Sequence, residues 1–246
     1  MVSMTFRFLL FYILPCFIFS CSKATYVANE EPLSRPCVRP TEEIAMVTAV
    51  KSLRTRLASP LIVIDAGHGG KDNGTESKKG PKFYEKHLTL TTAEFLEAYL
   101  KKMGFRTAMT RKDDLYLELK ERAEFANARK PALFVSVHYN SAPNRQAEGV
   151  EVYYYNDSDD KKRSQSSKDL AKAILDAVLV ETKAKSRGIK EGNFAVIRET
   201  TMPAIIIEGG FMTNEGEMSR IRDKNYMSGL AKGIAQGINE YLYKSK

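Results

Sequence analysis

Leu61-Ile-Val-Ile64 runs directly into Asp65-Ala-Gly-His68-Gly-Gly70, and this stretch decides the fold. Four large aliphatic residues in a row, too few for a helix of ordinary length, suit a strand buried on both faces of a sheet. The acid, the histidine and the glycines that follow put polar chemistry at the strand's carboxyl end, where the loops of an open α/β sheet converge on a ligand. The glycines let the backbone turn sharply and let a substrate approach. Two common uses of a Gly-rich turn fail on spacing. A phosphate loop needs Gly where Asp65 stands and Ser or Thr where Asp72 stands, and Gly67, Gly69 and Gly70 do not form G-x-G-x-x-G. A plain loop and a metal site remain.

Downstream of this strand, strands and helices alternate. Leu88, Phe95, Leu96, Tyr99, Leu100 and Met103 fall on one face of a helix over 85–103 that Gly104 stops. A short strand over 105–109, a helix over 117–129 ended by Pro131, and strands over 133–137 and 150–155 follow. The pattern continues with a helix over 166–181, strands over 194–197 and 204–207, and a closing amphipathic helix over 226–243. It predicts an α/β fold with a mostly parallel, mixed central sheet and helices on both faces. No internal repeat is visible.

Upstream, Arg7 precedes an apolar run from Phe8 to Phe19, too short to span a bilayer but suited to a signal-peptide core. Ile18-Phe-Ser-Cys21 resembles a lipoprotein cleavage box, although Phe19 is bulkier than the residue usual there. Residues 1–21 are therefore expected to be a signal peptide, with Cys21 lipidated as a membrane anchor or ordinary cleavage nearby. Either outcome places the mature chain in the periplasm or cell envelope. Residues 22–57 read as a linker plus a short segment with Ile44, Val47, Val50 and Leu53 at helical spacing, and residues 58–246 as the catalytic domain.

Composition narrows the function classes. With 43% hydrophobic residues, 15 Gly and 9 Pro, a disordered or collagen-like chain is excluded. Lys and Arg number 38 against 30 Asp and Glu, a net charge of +8 that biases the chain mildly toward anionic partners. There is no Cys/His finger, no RNP-like aromatic motif and no long basic run, so nucleic acid is not expected as a partner. Cys16 lies in the signal core and Cys21 at the cleavage box, which leaves Cys37 alone and no disulfide framework.

The chain has three histidines, His68, His87 and His138. Two of them, in Asp65–Gly70 and His138-Tyr-Asn140, follow apolar strands; a single strand-end histidine is more often a structural hydrogen-bonder, but a pair beside an acid makes the donor set of catalytic zinc. Acids stand at Tyr84-Glu85-Lys-His87, which opens the first helix, and at Glu208-Gly-Gly-Phe211, after Ala204–Ile207. A carboxylate between Ile205-Ile-Ile207 and two glycines is poorly explained as surface decoration and fits a general acid and base.

Ile64-Asp-Ala-Gly-His68-Gly-Gly-Lys-Asp72, Glu85, Ser136-Val-His138-Tyr-Asn-Ser-Ala142, Glu148-Gly-Val-Glu-Val-Tyr153 and Ile207-Glu208-Gly-Gly-Phe-Met-Thr-Asn214 together resemble the zinc-dependent N-acetylmuramoyl-L-alanine amidases of the septum-splitting, cell-division type. The likeness runs from about Leu61 to the C-terminus and keeps the order and spacing of the motifs. It implies zinc ligands at His68, Glu85 and His138, a catalytic carboxylate at Glu208, and peptidoglycan or its muropeptide precursors as substrate. The bond cut would join N-acetylmuramic acid to L-alanine, and an activator protein is left open as a partner. The residues by themselves give a zinc hydrolase, so a zinc peptidase acting on the stem peptide, or a non-catalytic wall-binding module, remains an alternative. Two departures stand out. His87 replaces the Asp or Asn common at that place and lies off the helical face of Glu85, so it is expected at the surface. A polar loop over 156–166 stands where some relatives insert a helix that blocks the zinc.

Overall fold

Side chains alternate across a strand, so a β1 of Leu61–Ala66 buried on both faces sends Ile62 and Ile64 into one core and Val63 into another. The computed structural model, which describes Ala45, Met46, Thr48, Ala49 and residues 59–244, shows this division across the whole sheet. The other strands are β2 (Arg106–Met109), β3 (Leu133–Asn140), β4 (Val150–Tyr154), β5 (Ser186–Glu191) and β6 (Ala204–Phe211), in the spatial order β2-β1-β3-β6-β4-β5. β2, β1, β3 and β6 run parallel; β4 is antiparallel to β6, and β5 is parallel to β4. The sheet is thus mixed, with its parallel half carrying the site.

Helices α1 (Glu85–Lys102), α3 (Lys161–Thr182) and α6 (Lys224–Lys244) cover the face of Ile62, Ile64, Val135, Val152 and Ile207. On the opposite face α2 (Leu119–Arg129) and the single turn α4 (Ala195–Arg198) pack on Val63, Phe134 and Ile206. Each fully buried Leu, Ile or Phe contributes roughly 1.5–3 kcal/mol of transfer free energy. The larger core therefore supplies most of the rigidity behind the strand ends.

Several sequence expectations are corrected. Residues 194–197 are not a strand: Phe194 caps the short α4, because a four-residue apolar run does not choose between strand and helical turn. The loop expected over 156–166 is shorter, since α3 starts at Lys161 with the Asp160 carboxylate accepting from the Arg163 amide at 2.9 Å. The first turns of α3 hide from a hydrophobic periodicity because their buried residues are polar: Ser164, Ser167 and Arg163, whose guanidinium serves the carbonyls of Ile197 and Thr200 and the carboxylate of Asp157. β5 went unseen because an edge strand reading Ser-Arg-Gly-Ile-Lys-Glu carries no apolar alternation. A short α5 (Glu215–Ile221), capped by Asn214, was also missed. β3 and β6 extend past their apolar cores, so that His138 and Glu208 lie inside strands instead of after them.

The signal peptide, Cys21 with its lipid anchor, and the linker lie outside the described residues. Of the helical segment expected around Ile44 to Leu53, Ala45, Met46, Thr48 and Ala49 are described, and they are helical and exposed. No described helix is long and apolar enough to cross a membrane.

Candidate active site

The register of the parallel pair β3 and β6 sets His138 directly opposite Glu208. One strand over, the chain leaves β1 at Ala66 and turns so tightly that His68 takes a φ of 60°, a left-handed conformation that costs a non-glycine residue free energy and concentrates at functional sites. That turn is fixed from below. Arg122 on α2 donates to the Asp65 carboxylate at 2.9 Å, to the Ala66 carbonyl at 2.8 Å and to the His68 carbonyl at 2.7 Å. Arg111 donates to the carbonyls of Ala66, Gly67 and Lys86. A side chain at position 67 is impossible without movement, since a Cβ there would lie 2.2 Å from the His138 ring. Glycine at this place is what lets the two imidazoles meet, with ring centroids 4.9 Å apart.

Glu85 arrives from the opposite layer, as the first residue of α1. Its Oε1 lies 3.1 Å from His68 Nε2 and 3.0 Å from His138 Nδ1, and accepts from the Tyr139 amide, while Oε2 accepts from the Thr75 amide. Burial works to raise this carboxyl, yet the two histidines outweigh it and hold Glu85 far below the usual carboxylate range. For His68 burial opposes protonation, but Glu85 and then Asp72 lift the imidazole to about 9. The donor atoms of His68, Glu85 and His138 all lie within 4.8 Å of one another and could hold a metal ion.

Glu208 differs from these. It keeps some surface toward the cavity, but its Oε2 is buried and has no hydrogen-bond partner among the described residues. Burial pushes its carboxyl up to about 7, with Glu85 and Glu151 adding to the rise and His138 opposing it. An orphaned buried carboxylate oxygen is costly, and a catalytic role is one reason for a fold to keep it. A pKa near neutrality suits a group that must take and return a proton. These side chains share a cavity of about 280 Å³ with Thr75, Asn140 and Ser141.

The chain as a whole has known relatives. Residues 62–240 match the N-acetylmuramoyl-L-alanine amidase family. The chain belongs to this family. The amidase from Clostridium difficile 630 is 40% identical, with a TM-score of 0.72 over 76% of this chain and 99% of that one. The CwlD amidase from Clostridioides difficile, solved in complex with the GerS lipoprotein, is 30% identical with a TM-score of 0.68, covering 75% of this chain and 98% of that chain. The probable cell wall amidase LytH of Staphylococcus epidermidis is 32% identical over 186 residues, which make up 76% of this chain and 60% of LytH.

Within this amidase the four residues singled out from sequence come together, and His87 stays apart: its ring is exposed and lies 3.8 Å from Asp114. Three further acids, to which the sequence assigns no role, support these side chains. Asp72 Oδ2 sits 2.7 Å from His68 Nδ1, so His68 turns its Nε2 toward the centre. Asp65 is fully buried; desolvation acts to raise it, but Arg122 and the hydroxyls of Ser136 and Thr110 hold it below the ordinary range. Glu151, opposite Glu208 on β4, accepts from Asn140, Tyr153 and Arg187 at 2.6–2.7 Å. The signal was present in each case as an acid inside a strand or a glycine-rich turn, where a solvated surface charge is not expected.

Proposed function

We propose that this chain is a zinc-dependent amidase that hydrolyses the bond between the lactyl group of N-acetylmuramic acid and L-alanine in peptidoglycan, freeing stem peptides during wall remodelling or cell division. The observation that carries this is the convergence of His68, Glu85 and His138 within 4.8 Å, beside a Glu208 oxygen that is buried without a partner. Two imidazoles and a carboxylate are the usual protein donors of catalytic zinc. The separations of 3.1 and 3.0 Å from Glu85 to the two imidazoles approach the roughly 3.3 Å expected between ligand atoms about 2.0–2.1 Å from a tetrahedral ion. Bound there, zinc supplies a Lewis acid that polarises the scissile carbonyl and acidifies water.

The remaining work belongs to side chains. Asp72 fixes the tautomer of His68, and Arg122 fixes its backbone. Glu208, whose pKa burial raises and a bound cation would bring back down, takes the proton of the attacking water at its carboxylate. It then returns that proton to the departing nitrogen of L-alanine, which leaves as a neutral amine. The water oxygen bonds to the carbonyl carbon as the C–N bond breaks, and the resulting lactyl carboxylic acid releases its remaining proton to solvent to become a carboxylate.

The cell wall amidases among its relatives support action outside the cytoplasm, with residues 1–21 as the export signal and Cys21 as a candidate lipid anchor. The CwlD complex with GerS supports a protein partner here too. The connection from Tyr155 to Asp160 has no room for an inhibitory helix of two or three turns, so a partner would tune an enzyme that already turns over. Mass spectrometry of muropeptides after digestion, with and without a chelator, tests the proposal. A new lactyl carboxylate that disappears with the metal supports it; a new peptide carboxylate indicates a stem-peptide peptidase, and no new end group indicates a wall-binding module.

A further inference from the structure

A substrate joined at the scissile amide must leave the site in two directions, and the two exits differ in chemistry. One is a cavity of about 320 Å³ that shares His68, His138 and Phe194 with the site and continues over Tyr116, Leu117 and Val196. It opens on the face of the smaller core, to which Val196 and Ile206 belong. Its mouth carries Leu119 and Phe194, two of the large apolar side chains that remain exposed.

The other direction leads across the backbone of residues 140–142. Asn140 and Ser141 line the site, and on their far side the Asn140 carbonyl accepts from the Met212 amide at 2.8 Å while the Ala142 amide donates to the Thr213 hydroxyl at 3.0 Å. Beyond Met212 and Thr213 lies a separate pocket of about 200 Å³ that shares no lining residue with the site or with the first cavity and adjoins the site only through this backbone. Met218 on its floor belongs to the larger core. The loop that starts at Thr75 in the site supplies Lys78 and Lys79 to this pocket, and Arg145 and Arg222 complete its rim. Lys79 is paired with Glu215 at 2.7 Å. Glu215 also lines the pocket and feels the charge of Arg145, but four cations against one carboxylate leave an excess of positive charge, and the exposed Lys78, Arg145 and Arg222 make no side-chain hydrogen bond or close ion pair among the described residues.

Like charges gathered around a cavity repel one another, and an anion relieves that repulsion. We propose that this basic pocket binds the carboxylates of the stem peptide, which fixes the direction of the substrate: peptide toward Arg145 and Arg222, glycan toward Tyr116 and Leu117. The inference rests on the amidase reading of the central site. It follows from the substrate's two halves, because the stem peptide carries free carboxylates and the acetamido sugars are uncharged with apolar ring faces that suit an aromatic wall. Guanidinium groups recognise carboxylates through paired, charge-assisted hydrogen bonds.

The test is equilibrium binding by calorimetry of a synthetic L-alanyl-γ-D-glutamyl-L-lysine peptide, once with free carboxylates and once fully amidated. The full chain, its Arg145→Gln/Arg222→Gln variant, and a Lys120→Gln/Lys172→Gln control of equal net charge are compared. The free-carboxylate peptide is expected to bind the wild type and the control about tenfold more tightly than it binds the arginine variant, while the amidated peptide binds all three equally. Equal affinity of both peptides for the wild type, or an unchanged preference in the arginine variant, overturns the proposal. So does a variant that keeps peptide binding and loses only affinity for poly(glycerol phosphate), which would make the pocket a site for wall-polymer phosphates. Hydrolysis of an intact muropeptide is followed in parallel: selective peptide binding without cleavage would contradict the amidase reading and leave the pocket's assignment standing.

Discussion

Replacing Arg122 by Met should be among the most damaging single changes to this chain, and its cost should depend on pH in a particular direction. The guanidinium is 3% exposed and the Asp65 side chain it meets is fully buried, so the carboxylate would lose its charge partner in a place largely withdrawn from bulk solvent. Methionine retains much of the aliphatic stem but leaves Asp65 Oδ1 and the carbonyls of Ala66 and His68 without this donor. Breaking a buried pair by removing one member costs ~3–5 kcal/mol, against a total stability of about 5–15 kcal/mol for a domain. In the wild type the folded-state pKa of Asp65 lies below its unfolded value of about 3.9, so the pair's contribution is present above about pH 4 and is lost as pH falls through the folded value. Without Arg122 burial acts with far less opposition, the folded-state pKa rises above about 3.9, and protonation of Asp65 lessens the penalty as pH falls. The difference between the two proteins should therefore shrink by up to about 1.4 kcal/mol for each pH unit between the raised pKa and 3.9. Urea unfolding at about pH 7 and about pH 4.5, with Asp65→Asn/Arg122→Met as the partner variant, measures this. The double variant should recover part of the loss, because no buried charge is left unpaired. A loss below about 1 kcal/mol at pH 7, or one that grows on acidification, would refute the reasoning.

Asp72→Asn should weaken metal binding by about 10–100-fold without unfolding the chain, because Asp72 orients His68 and its side chain is 45% exposed; competition with a chelating dye reads this out. His87→Asn should leave metal content unchanged, and a lost equivalent of zinc would place a ligand at a residue that the structure leaves exposed. Purified protein should hydrolyse muropeptides without any added activator. If activity appears only with a partner, the gate must lie outside the connection between Tyr155 and Asp160.

How far the sequence reveals the molecule depends on where each residue's partners lie. Leu61–Ile64, Leu133–Val137 and Ala204–Ile207 announce themselves as strands because both of their faces are covered. Their order, and the glycine turn after the first, suffice to bring His68 and His138 into one neighbourhood. Glu85 was selected through the family resemblance; spacing alone did not separate it from other acids, since its place at the start of α1 matters only once that helix packs beneath β1 and β3. Asp72, Glu151 and Arg122 were legible as residue types but not as partners, because each acts across 4 to 57 positions of sequence through a hydrogen bond that only the fold creates. The polar start of α3 and the edge strand β5 were missed for a related reason. Their stability comes from an N-cap, a buried guanidinium and ladder pairing, none of which leaves a hydrophobic period.

The central claim is that three residues hold the metal while Glu208 moves the proton. Determining zinc per chain and turnover on one preparation of Glu208→Gln tests it most directly. Glutamine keeps the size and the hydrogen-bonding reach of the side chain but cannot accept the water proton. Zinc content equal to wild type, with turnover lower by about two to four orders of magnitude, is the expected result. Zinc lost together with activity would make Glu208 a ligand, and turnover within about tenfold of wild type would make it a bystander; either contradicts the account.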